Sequence, residues 1–489
     1  MLTLSTPATA SAAPRVGVLI VAYNAASTLT AVLDRLPAPF VETVDHILVC
    51  DDASVDDTYE VGLRYKEGRE TLPLTVVRHS KNLGYGGNQK TGYRWALDNG
   101  LDIVVLLHGD GQYAPEVIDD LVTPLARGEA DAVFGSRMAV RGAARAGGMP
   151  IYKYVGNRIL SRFQNSLTGM SLSEWHSGYR AYRTDALRDI DFDSYSDDFD
   201  FDTEIILGLH AVGKSIAEVP IPTYYGDEIC YVNGMAYARD VAVDVVRFRA
   251  RQMGFGTPIR GVDPGAYDFK PSPFSSHARL LAWLGRTTPG RVLDVGCSDG
   301  QFGAAARALG HTVVGIDMIK REGVGDRLDD FVIGDLNHGV PDGVQGTFQH
   351  IVAGDILEHV LDPERLLTEL ARYLAPGGAV LVSVPNFAHW YPRSRTALGR
   401  FDYDQRGPFD STHYRFFTRR SFERLVARCD LVVAERDVVG APIDVLDRGA
   451  DRRSAVVKAV ARTQRLDQFA SRTWPTMFGY QFLYRLTLP

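Results

Sequence analysis

VLIVAYN (residues 18–24) and ILVCDDAS (residues 47–54) decide the fold of the first half of the chain. Each is an apolar run of strand length that ends in polar residues, which is typical of buried strands in parallel sheets. The second half holds a similar pair, RVLDVGCSDG (residues 291–300) and VVGID (residues 313–317). A strand, a tight turn and an acidic residue can together hold a nucleoside. The two halves do not repeat each other, which indicates two fused enzymes, the product of one being a candidate substrate of the other.

The length and composition favour a two-domain globular protein. A chain of 489 residues is too long for one ordinary core, and 45% hydrophobic with 23% charged residues is typical of soluble proteins. The formal net charge of -7 argues against a general nucleic-acid binder. Four cysteines without metal-like or redox-like spacing favour a reducing compartment, and we therefore expect a cytoplasmic protein.

The order of segments predicts two domains joined by a linker. Residues 1–14 lack the basic start and apolar run of a signal peptide and are predicted to be a disordered tail. Glycines and prolines in residues 258–274 predict a linker. The domains are then residues 15–257 and residues 275–489, the second with a helical C-terminal extension. No apolar run approaches the roughly 20 residues that span a bilayer.

Alternating apolar runs and helical patterns predict a mostly parallel α/β sheet in each domain, covered on both faces. In the first domain we predict one helix that begins near Ser27, with Ser27 as its N-cap, and another helix that covers about residues 88–99. The predicted strands lie at residues 16–22, 46–51, 74–78, 103–107 and 131–135, and then near 291–295, 312–316, 330–333, 349–353 and 378–384.

Three polar segments of the first half could bind a ligand at the carboxyl ends of strands. Asp51-Asp52 suits a base or a ribose hydroxyl, although the same string also begins a helix well. The segment NLGYGGN (residues 82–88) lets backbone come close to a ligand, or simply forms a turn. HGDGQY (residues 108–113) gives an oxygen-rich strand end, which can hold a divalent cation against a diphosphate.

With FGSR (134–137), GGMP (147–150) and HSGYRAY (176–182), these segments resemble family 2 glycosyltransferases over residues 15–255. The most similar branch is that of dolichyl-phosphate mannose synthase-type enzymes. The resemblance implies a GT-A fold, a nucleotide-sugar donor and a Mg²⁺ or Mn²⁺ ion. It also implies site residues by position: Ala22, Tyr23, Asp52 and Gly84 at the nucleoside, Asp110 and Gln112 at the metal, and Arg137 and Arg180 at the phosphates.

His108 departs from the family pattern, which has an aspartate at this position. A neutral imidazole can ligate a metal but brings no negative charge, and His108 could instead only pack beside the site. This departure keeps open the alternative that the first domain binds sugar nucleotides or glycans without catalysis.

The general base of glycosyl transfer is also open. The candidates are Asp198, Asp200, Asp202 and Glu204, of which the last three would share one face if the residues alternated as in a strand. We take Asp200 as the candidate catalytic residue. A phosphate-monoester acceptor is already an anion and needs no base, whereas a sugar hydroxyl does.

The second half contains a nucleoside-binding pattern centred on Asp294. Gly296 permits the tight turn, and Gly300 allows the backbone to pass close to a ligand. Asp317 can bind both hydroxyls of a ribose. With GDL (334–336), GDILEHV (354–360) and LAPGG (374–378), residues 275–440 resemble class I S-adenosylmethionine-dependent methyltransferases rather than dinucleotide-binding enzymes. The resemblance implies S-adenosylmethionine as cofactor, with Asp294 and Gly296 at its methionine end, Asp317 at the ribose, Asp335 at the adenine, and Ser298, Gly300 and Asp355 nearby.

Two histidines are candidates for the base of methyl transfer. His359 follows Glu358, and His413 lies in a polar stretch that we assign to the acceptor pocket. Asp355, Glu358 and His359 could alternatively form a metal site, or simply begin a helix.

The sequence as a whole predicts a bifunctional enzyme of polysaccharide or glycolipid biosynthesis. The first domain would transfer a sugar to a polyprenyl phosphate or a glycan, and the second would methylate a hydroxyl of a sugar or related acceptor. An active methyltransferase with a non-catalytic first domain is the alternative. Basic helical patterns at residues 235–253 and 454–472 could attach the protein peripherally to a membrane, or be ordinary surface helices.

Overall fold

The computed structural model describes residues 13–69, 71–223, 233–252, 256, 269, 272–441 and 455–489. The described residues up to Arg249 form one compact unit, and those from Ala250 onward form a second. Almost all of the predicted tail and most of the predicted linker lie outside the described residues.

The first unit contains a seven-stranded sheet of order β3-β2-β1-β4-β6-β5-β7. Strand β6 is antiparallel to both of its neighbours, and the remaining pairs are parallel. The strands are β1 (Val16–Ala22), β2 (His46–Asp51), β3 (Leu74–Arg78), β4 (Ile103–His108), β5 (Ala132–Ser136), β6 (Arg180–Arg183) and β7 (Ile216–Pro220).

Helices cover both faces of this sheet. Val18 and Ile20 of β1 point into one buried cluster and Leu19 and Val21 into another, as expected from the alternation of side chains along a strand. The helices are α1 (Leu29–Asp34), α2 (Ala38–Thr43), α3 (Thr58–Glu67), α4 (Tyr85–Asp98), α5 (Ile118–Ala126), α6 (Ala143–Ala146), α7 (Ile151–Thr168), α8 (Thr184–Arg188), α9 (Phe201–Ala211) and α10 (Gly234–Gln252).

The second unit contains another seven-stranded sheet, of order β10-β9-β8-β11-β12-β14-β13, in which only β14 is antiparallel to its neighbours. The strands are β8 (Arg291–Val295), β9 (Thr312–Asp317), β10 (Asp330–Ile333), β11 (Phe348–Gly354), β12 (Leu374–Pro385), β13 (Val432–Val439) and β14 (Gln481–Thr487). The helices are α11 (Ser276–Leu284), α12 (Gln301–Ala308), α13 (Val324–Arg327), α14 (Pro363–Ala371), α15 (Trp390–Ala397), α16 (Arg419–Arg428), α17 (Ala455–Thr473) and α18 (Pro475–Phe478).

The structure corrects one sequence prediction about local structure and extends another. The N-cap of helix α1 is Thr28 rather than Ser27, because residues 25–28 form a turn in which the amides of Thr28 and Leu29 donate to the carbonyl of Ala25. In the part of the chain that the structure describes, the C-terminal extension contains helices α17 and α18, as predicted, and these are followed by β14, which inserts between β12 and β13. Among the described residues, no helix is both long and apolar enough to cross a membrane.

Candidate active sites

The predicted nucleoside-binding residues of the first unit meet at the carboxyl edge of its sheet. Ala22, the last residue of β1, pairs with Asp51 of β2, and Val21 pairs with His108 of β4. Tyr23 follows Ala22 and is 41% exposed. Because β1 lies between β2 and β4, Ala22, Tyr23, Asp52 and His108 are all at the same edge of the sheet, with Asp52 and His108 on opposite sides of β1.

Asp52 lies at the carboxyl edge of the sheet and also binds the backbone of the glycine-rich segment, residues 82–88. Its carboxylate accepts hydrogen bonds from the amides of Leu83 (2.7 Å) and Gly84 (3.1 Å). Burial raises the pKa of Asp52 in spite of these bonds. Since each carboxylate oxygen has two lone pairs, Asp52 can still accept a donor from a base or a ribose.

The glycines of residues 82–88 allow two protein segments to come close together. Gly84 has φ +85°, and a Cβ built there would lie 2.5 Å from the carbonyl oxygen of Asp197. A Cβ on Gly86 would lie 2.5 Å from the carbonyl of Ser196, and the Gly86 amide donates to Asp197 at 2.7 Å. The close approach that the glycines permit is therefore first to residues 196–197, and contact between Gly84 and a nucleoside stays a prediction.

The predicted metal ligands lie in the turn after β4. Asp110 is exposed, and its Oδ1 accepts a hydrogen bond from the backbone amide of Gln112 at 3.0 Å. The Gln112 side chain is half-buried. One carboxylate and one amide oxygen, completed by diphosphate oxygens, are a donor set that fits Mg²⁺ or Mn²⁺.

His108 is bound into a polar network behind this turn. The Tyr85 hydroxyl donates to Asp202 Oδ2 at 3.0 Å and lies 3.2 Å from His108 Nε2. Because a tyrosine hydroxyl has one proton, Nε2 must carry its own proton and donate it to Tyr85. Burial lowers the pKa of His108, which keeps the ring neutral. His108 can therefore offer a metal only Nδ1.

Both predicted phosphate-binding arginines are engaged inside the unit. Arg137 forms a buried ion pair with Glu174, with Nε 3.0 Å from Oε1. Burial favours the neutral form of Glu174, but the charge of Arg137 together with hydrogen bonds from Arg137 and Asn157 outweighs burial and holds the pKa of Glu174 below its usual range. Arg180 is 1% exposed and donates to the carbonyls of Ser177, Trp175 and Asp202. Phosphate contacts by Arg137 and Arg180 remain predictions that would require some of these bonds to be exchanged.

The expectation that Asp200, Asp202 and Glu204 share one face is wrong, because these residues lie at the start of helix α9 rather than in a strand. Asp202 faces Tyr85 and Arg180. Asp200 and Glu204, one helical turn apart, both bond to Ser196 and approach Asp244 of α10. Burial, Glu204 and Asp200 together raise the pKa of Asp244 to about 7. The acidic residues are thus divided between two networks.

In the second unit, the turn after β8 borders a cavity that is partly open to solvent. Three predicted cofactor residues line it, namely Asp294, Gly296 and Ser298. Gly296 has φ +76°, and a Cβ there would lie 2.7 Å from the Ile356 side chain, so this position favours glycine. Ser298 also has positive φ, +51°, a conformation uncommon for residues other than glycine.

Asp294 is a buried acidic residue in the wall of this cavity. Its Oδ2 is buried and has no hydrogen-bond partner among the described residues. Burial, and then the nearby Asp317, raise the pKa of Asp294 to about 7. A buried carboxylate without a partner calls for a cation. S-adenosylmethionine, whose sulfonium and ammonium groups are positive, fits this requirement.

The other predicted cofactor residues lie around this cavity or serve the fold. Asp317 accepts the Ser298 amide at 2.8 Å, which ties β9 to the turn after β8. Asp335 accepts the Asn337 amide at 2.9 Å. Asp355, with φ +53°, accepts Ser383 Oγ at 2.6 Å and Gln481 Nε2 at 2.8 Å, so its carboxylate joins β11 to β12 and β14.

Sequence reasoning missed three aromatic rings at the cavity, Phe269, His277 and Phe302. His277 stacks on Phe269 with ring centroids 5.5 Å apart and meets Phe302 edge-on at 5.7 Å. Only helical periodicity marks His277 and Phe302 in the sequence, and this pattern does not distinguish a cavity wall from a core.

His359 and His413 come together beyond the end of β11. Their ring centroids are 4.6 Å apart, and Glu358 lies in the same cluster. Burial, and then His359, lower the pKa of His413 to about 4, so its ring is neutral at pH 7. The structure thus gathers both base candidates at one point. The predicted alternative of a metal site at Asp355, Glu358 and His359 is wrong in one residue, because His413 rather than Asp355 lies with Glu358 and His359.

Comparison with known proteins agrees with the two folds. Residues 17–191 match the profile of Glycosyl transferase family 2, and residues 270–436 match that of a methyltransferase domain. An undecaprenyl-phosphate mannosyltransferase of Micrococcus luteus is 32% identical over 208 residues, 42% of this chain and 82% of that protein. A polyprenol monophosphomannose synthase of Mycolicibacterium smegmatis is 31% identical over 44% of this chain and 79% of its own length.

A third relative transfers a different sugar. The UDP-N-acetylglucosamine–dolichyl-phosphate N-acetylglucosaminyltransferase of Methanococcus voltae is 28% identical over 42% of this chain and 84% of its own length. The chain belongs to glycosyl transferase family 2, and in it a GT-A glycosyltransferase domain is fused to a methyltransferase domain. It is a transferase with both enzyme activities, and the methyltransferase domain uses S-adenosylmethionine. The alternative of a non-catalytic first domain is not favoured.

Proposed function

We propose that the first domain transfers a sugar from a nucleotide donor to a polyprenyl phosphate at the membrane surface. The names of the three relatives agree on a lipid-linked acceptor, undecaprenyl phosphate, polyprenol or dolichyl phosphate, and differ in the sugar. The observation that carries the proposal is the placement of the acidic residues. Asp202 is held by Tyr85 and Arg180, and Asp200 accepts Ser196 Oγ at 2.7 Å, so neither stands ready as a base.

A phosphate acceptor makes such a site sufficient. Its oxygen is already anionic and attacks the anomeric carbon directly, while the bond from that carbon to the nucleoside diphosphate breaks. Asp110 and Gln112 would hold the Mg²⁺ or Mn²⁺ ion, which stabilises the charge of the leaving diphosphate. Ala22, Tyr23, Asp52 and Gly84 would hold the nucleoside, and Asp200 is kept as the base only for a hydroxyl acceptor.

A membrane-bound acceptor requires a surface that meets lipid, and we assign this role to the exposed side of helix α7. Ile151, Val155 and Ile159 recur every four residues and are 65%, 46% and 60% exposed. Arg162 continues the same stripe, and Tyr152 at its start is 74% exposed. Apolar side chains beside a cation suit the boundary of a bilayer with anionic headgroups. Helix α10, by contrast, buries Val241, Val245 and Phe248.

The second domain, we propose, methylates a hydroxyl of a sugar. Asp294, Gly296 and Ser298 would face the methionine end of S-adenosylmethionine, with Asp317 at the ribose, Asp335 at the adenine, and Gly300 and Asp355 supporting the turns. His359 and His413 are assigned to the place where the acceptor hydroxyl binds. Five exposed aromatic residues lie in the segment between β12 and α16, and such rings suit the faces of a sugar: Trp390, Phe401, Tyr403, Tyr414 and Phe416.

The product of the first reaction tests the proposal. The full chain is given a panel of nucleotide sugars carrying a radioactive sugar, with polyprenyl phosphate vesicles and Mn²⁺. We expect label in an organic-extractable product that mild acid cleaves. Label that enters only water-soluble glycan would refute the lipid acceptor and would return Asp200 and its neighbours to the role of base.

A further inference from the structure

A second group of potential metal ligands lies in the methyltransferase domain, far in sequence from Asp110. Glu358, His359 and His413 offer one carboxylate oxygen and two imidazole nitrogens, all within 4.8 Å of one another. Glu358 is buried, and the two histidines are half-buried. The cluster follows β11, whose last residue, Gly354, lines the cofactor cavity.

Backbone and side-chain hydrogen bonds hold the two parts of the cluster together. The amides of Tyr414 and Arg415 donate to the carbonyl of Glu358 at 2.8 and 3.1 Å. Thr412 Oγ1 lies 3.0 Å from His359 Nδ1 and orients that ring. Metal-binding histidines are commonly oriented by such an outer hydrogen bond. The meeting of residues 358–359 with residue 413 is therefore built into the fold.

We propose that Glu358, His359 and His413 bind one divalent transition-metal ion, which in turn binds the hydroxyl of the sugar acceptor. Two imidazoles and a carboxylate are the donor set of a tetrahedral catalytic Zn²⁺ site, whereas Mg²⁺ and Ca²⁺ prefer oxygen alone. Metal–ligand distances of about 2.0–2.2 Å require the three groups to draw closer together. Three protein ligands leave the fourth position on the ion open to a substrate.

A general base for methyl transfer would account for only one of the three side chains in this cluster. Proton abstraction needs one imidazole, and it gives no role to the second ring or to a carboxylate at the same point. The Asp355 carboxylate does not belong to the group, because Ser383 and Gln481 donate to it. The half-buried histidines leave one side of the cluster open towards solvent, where an acceptor can enter.

The step balances without any further reactant. The acceptor hydroxyl, bound to the ion, becomes more acidic and gives its proton to water. Its oxygen then forms a bond to the methyl carbon as the carbon–sulfur bond of S-adenosylmethionine breaks, which leaves a neutral thioether. This inference rests on the proposed sugar O-methylation, but its test measures metal binding directly.

The test uses the full chain, freed of metal with a chelator and then titrated with Co²⁺. Cobalt in a four-coordinate site with nitrogen ligands absorbs visible light strongly, whereas cobalt bound by oxygens in an octahedral site absorbs weakly. We expect one strongly absorbing Co²⁺ per chain, which Zn²⁺ displaces. The variants His413→Ala and His359→Ala should abolish the strong band, and Glu358→Gln should weaken binding at least about tenfold.

Two controls separate this site from other metal binding. Asp110→Ala removes the proposed ligand of the glycosyltransferase domain and should leave the strong band unchanged. His338→Ala removes a histidine of the same domain as the cluster, with a side chain that is 87% exposed, and should also leave the band unchanged. Thermal melting of each variant shows whether it is folded. If a histidine variant does not fold, the conservative variant Glu358→Gln still tests the site.

The outcomes distinguish the site from the function. A strong band that vanishes in the histidine variants supports the site even if no sugar is methylated, and the proposed function then fails alone. No strong band in the wild-type chain, or a band that persists without His359 and His413, overturns the inference, and methyl transfer at an unchanged rate in chelator does so as well.

Discussion

The two nucleoside-binding sites of this chain handle charge in opposite ways. In the glycosyltransferase domain, Arg137 is paired with buried Glu174, and Arg180 lies 3.4 Å from Asp202. In the methyltransferase domain, Asp294 keeps one buried oxygen without a hydrogen-bond partner among the described residues. The charged groups behind the first site are balanced within the protein, and those of the second are not.

The difference corresponds to the charges of the two ligands. A nucleotide sugar is an anion that brings its own divalent cation, so a site with internally balanced charges and one exposed carboxylate, Asp110, is sufficient for it. S-adenosylmethionine is a cation at its reactive end, and in the proposed assignment it would supply the partner that Asp294 Oδ2 lacks among the described residues. In that assignment, each site leaves unpaired the charge that its ligand or metal would neutralise.

The largest effect is expected from Asp110→Ala in the first site. Loss of the carboxylate removes the metal and with it several kcal/mol of stabilisation of the leaving diphosphate, so glycosyl transfer should fall by about a hundredfold or more. Initial rates with Mn²⁺ measure the change, and calorimetry should show unchanged S-adenosylmethionine binding. An unchanged transfer rate would show that Asp110 is not the metal ligand.

Asp294→Asn tests the unpaired carboxylate of the second site. Since burial raises the folded-state pKa of Asp294 to about 7, the group favours folding below its unfolded pKa, and this contribution is lost as the pH rises through about 7. Without ligand at about pH 8, the variant should therefore be more stable than wild type, by on the order of a few kcal/mol, and near pH 4 the difference should vanish.

The same variant should bind S-adenosylmethionine at least about tenfold more weakly, because the amide brings no charge to the sulfonium. Melting curves and calorimetry give both quantities. A variant that is less stable than wild type at both pH values would contradict the idea that Asp294 is an unbalanced charge.

A smaller effect is expected at the ribose and adenine. Charge-assisted hydrogen bonds to the ribose are each worth about 1.5–3 kcal/mol, so Asp317→Ala should weaken S-adenosylmethionine binding about tenfold or more. Asp335→Ala should weaken it less, since adenine offers a neutral partner. If the order of the two variants in calorimetry were reversed, the assignment of ribose and adenine would have to be exchanged.

The smallest effect concerns the membrane. Because Ile151 and Ile159 lie in the exposed apolar stripe of α7, the double change Ile151→Ser with Ile159→Ser should reduce binding to anionic vesicles several-fold. Cosedimentation measures the binding, with Val243→Ser on α10 as a matched control, a residue 38% exposed. Equal loss in both variants would remove the special role of α7.

Much of the fold could be predicted because buried parallel strands are apolar runs. The predicted strands at residues 16–22, 46–51, 74–78 and 291–295 agree with the structure to the residue. Strand β14 was not predicted, because it follows two helices and pairs with β12, about a hundred residues earlier in the chain. Only the packing of distant segments determines such a strand.

The positions of Asp52, Asp110 and Asp294 at or near the carboxyl ends of strands could be predicted from the motifs, and the ligands that they bind stay predictions. The internal pairing of Arg137 with Glu174 could not be read from the sequence, since motif position does not reveal which partner a side chain meets. The acidic residues at 200–204 were placed on one face because a strand period was assumed where helix α9 forms. His413 meets His359 because of the loop around Thr412, which lies 53 residues after His359 in the chain.

The most direct test of two separate transferase sites in one chain is a crossed assay. Wild type, Asp110→Ala and Asp317→Ala are each given a nucleotide sugar and S-adenosylmethionine with different radioactive labels, together with polyprenyl phosphate and a sugar acceptor. We expect Asp110→Ala to lose sugar transfer and keep methyl transfer, and Asp317→Ala to do the reverse. Loss of both activities in either variant, or sugar transfer that survives in Asp110→Ala, would contradict the account.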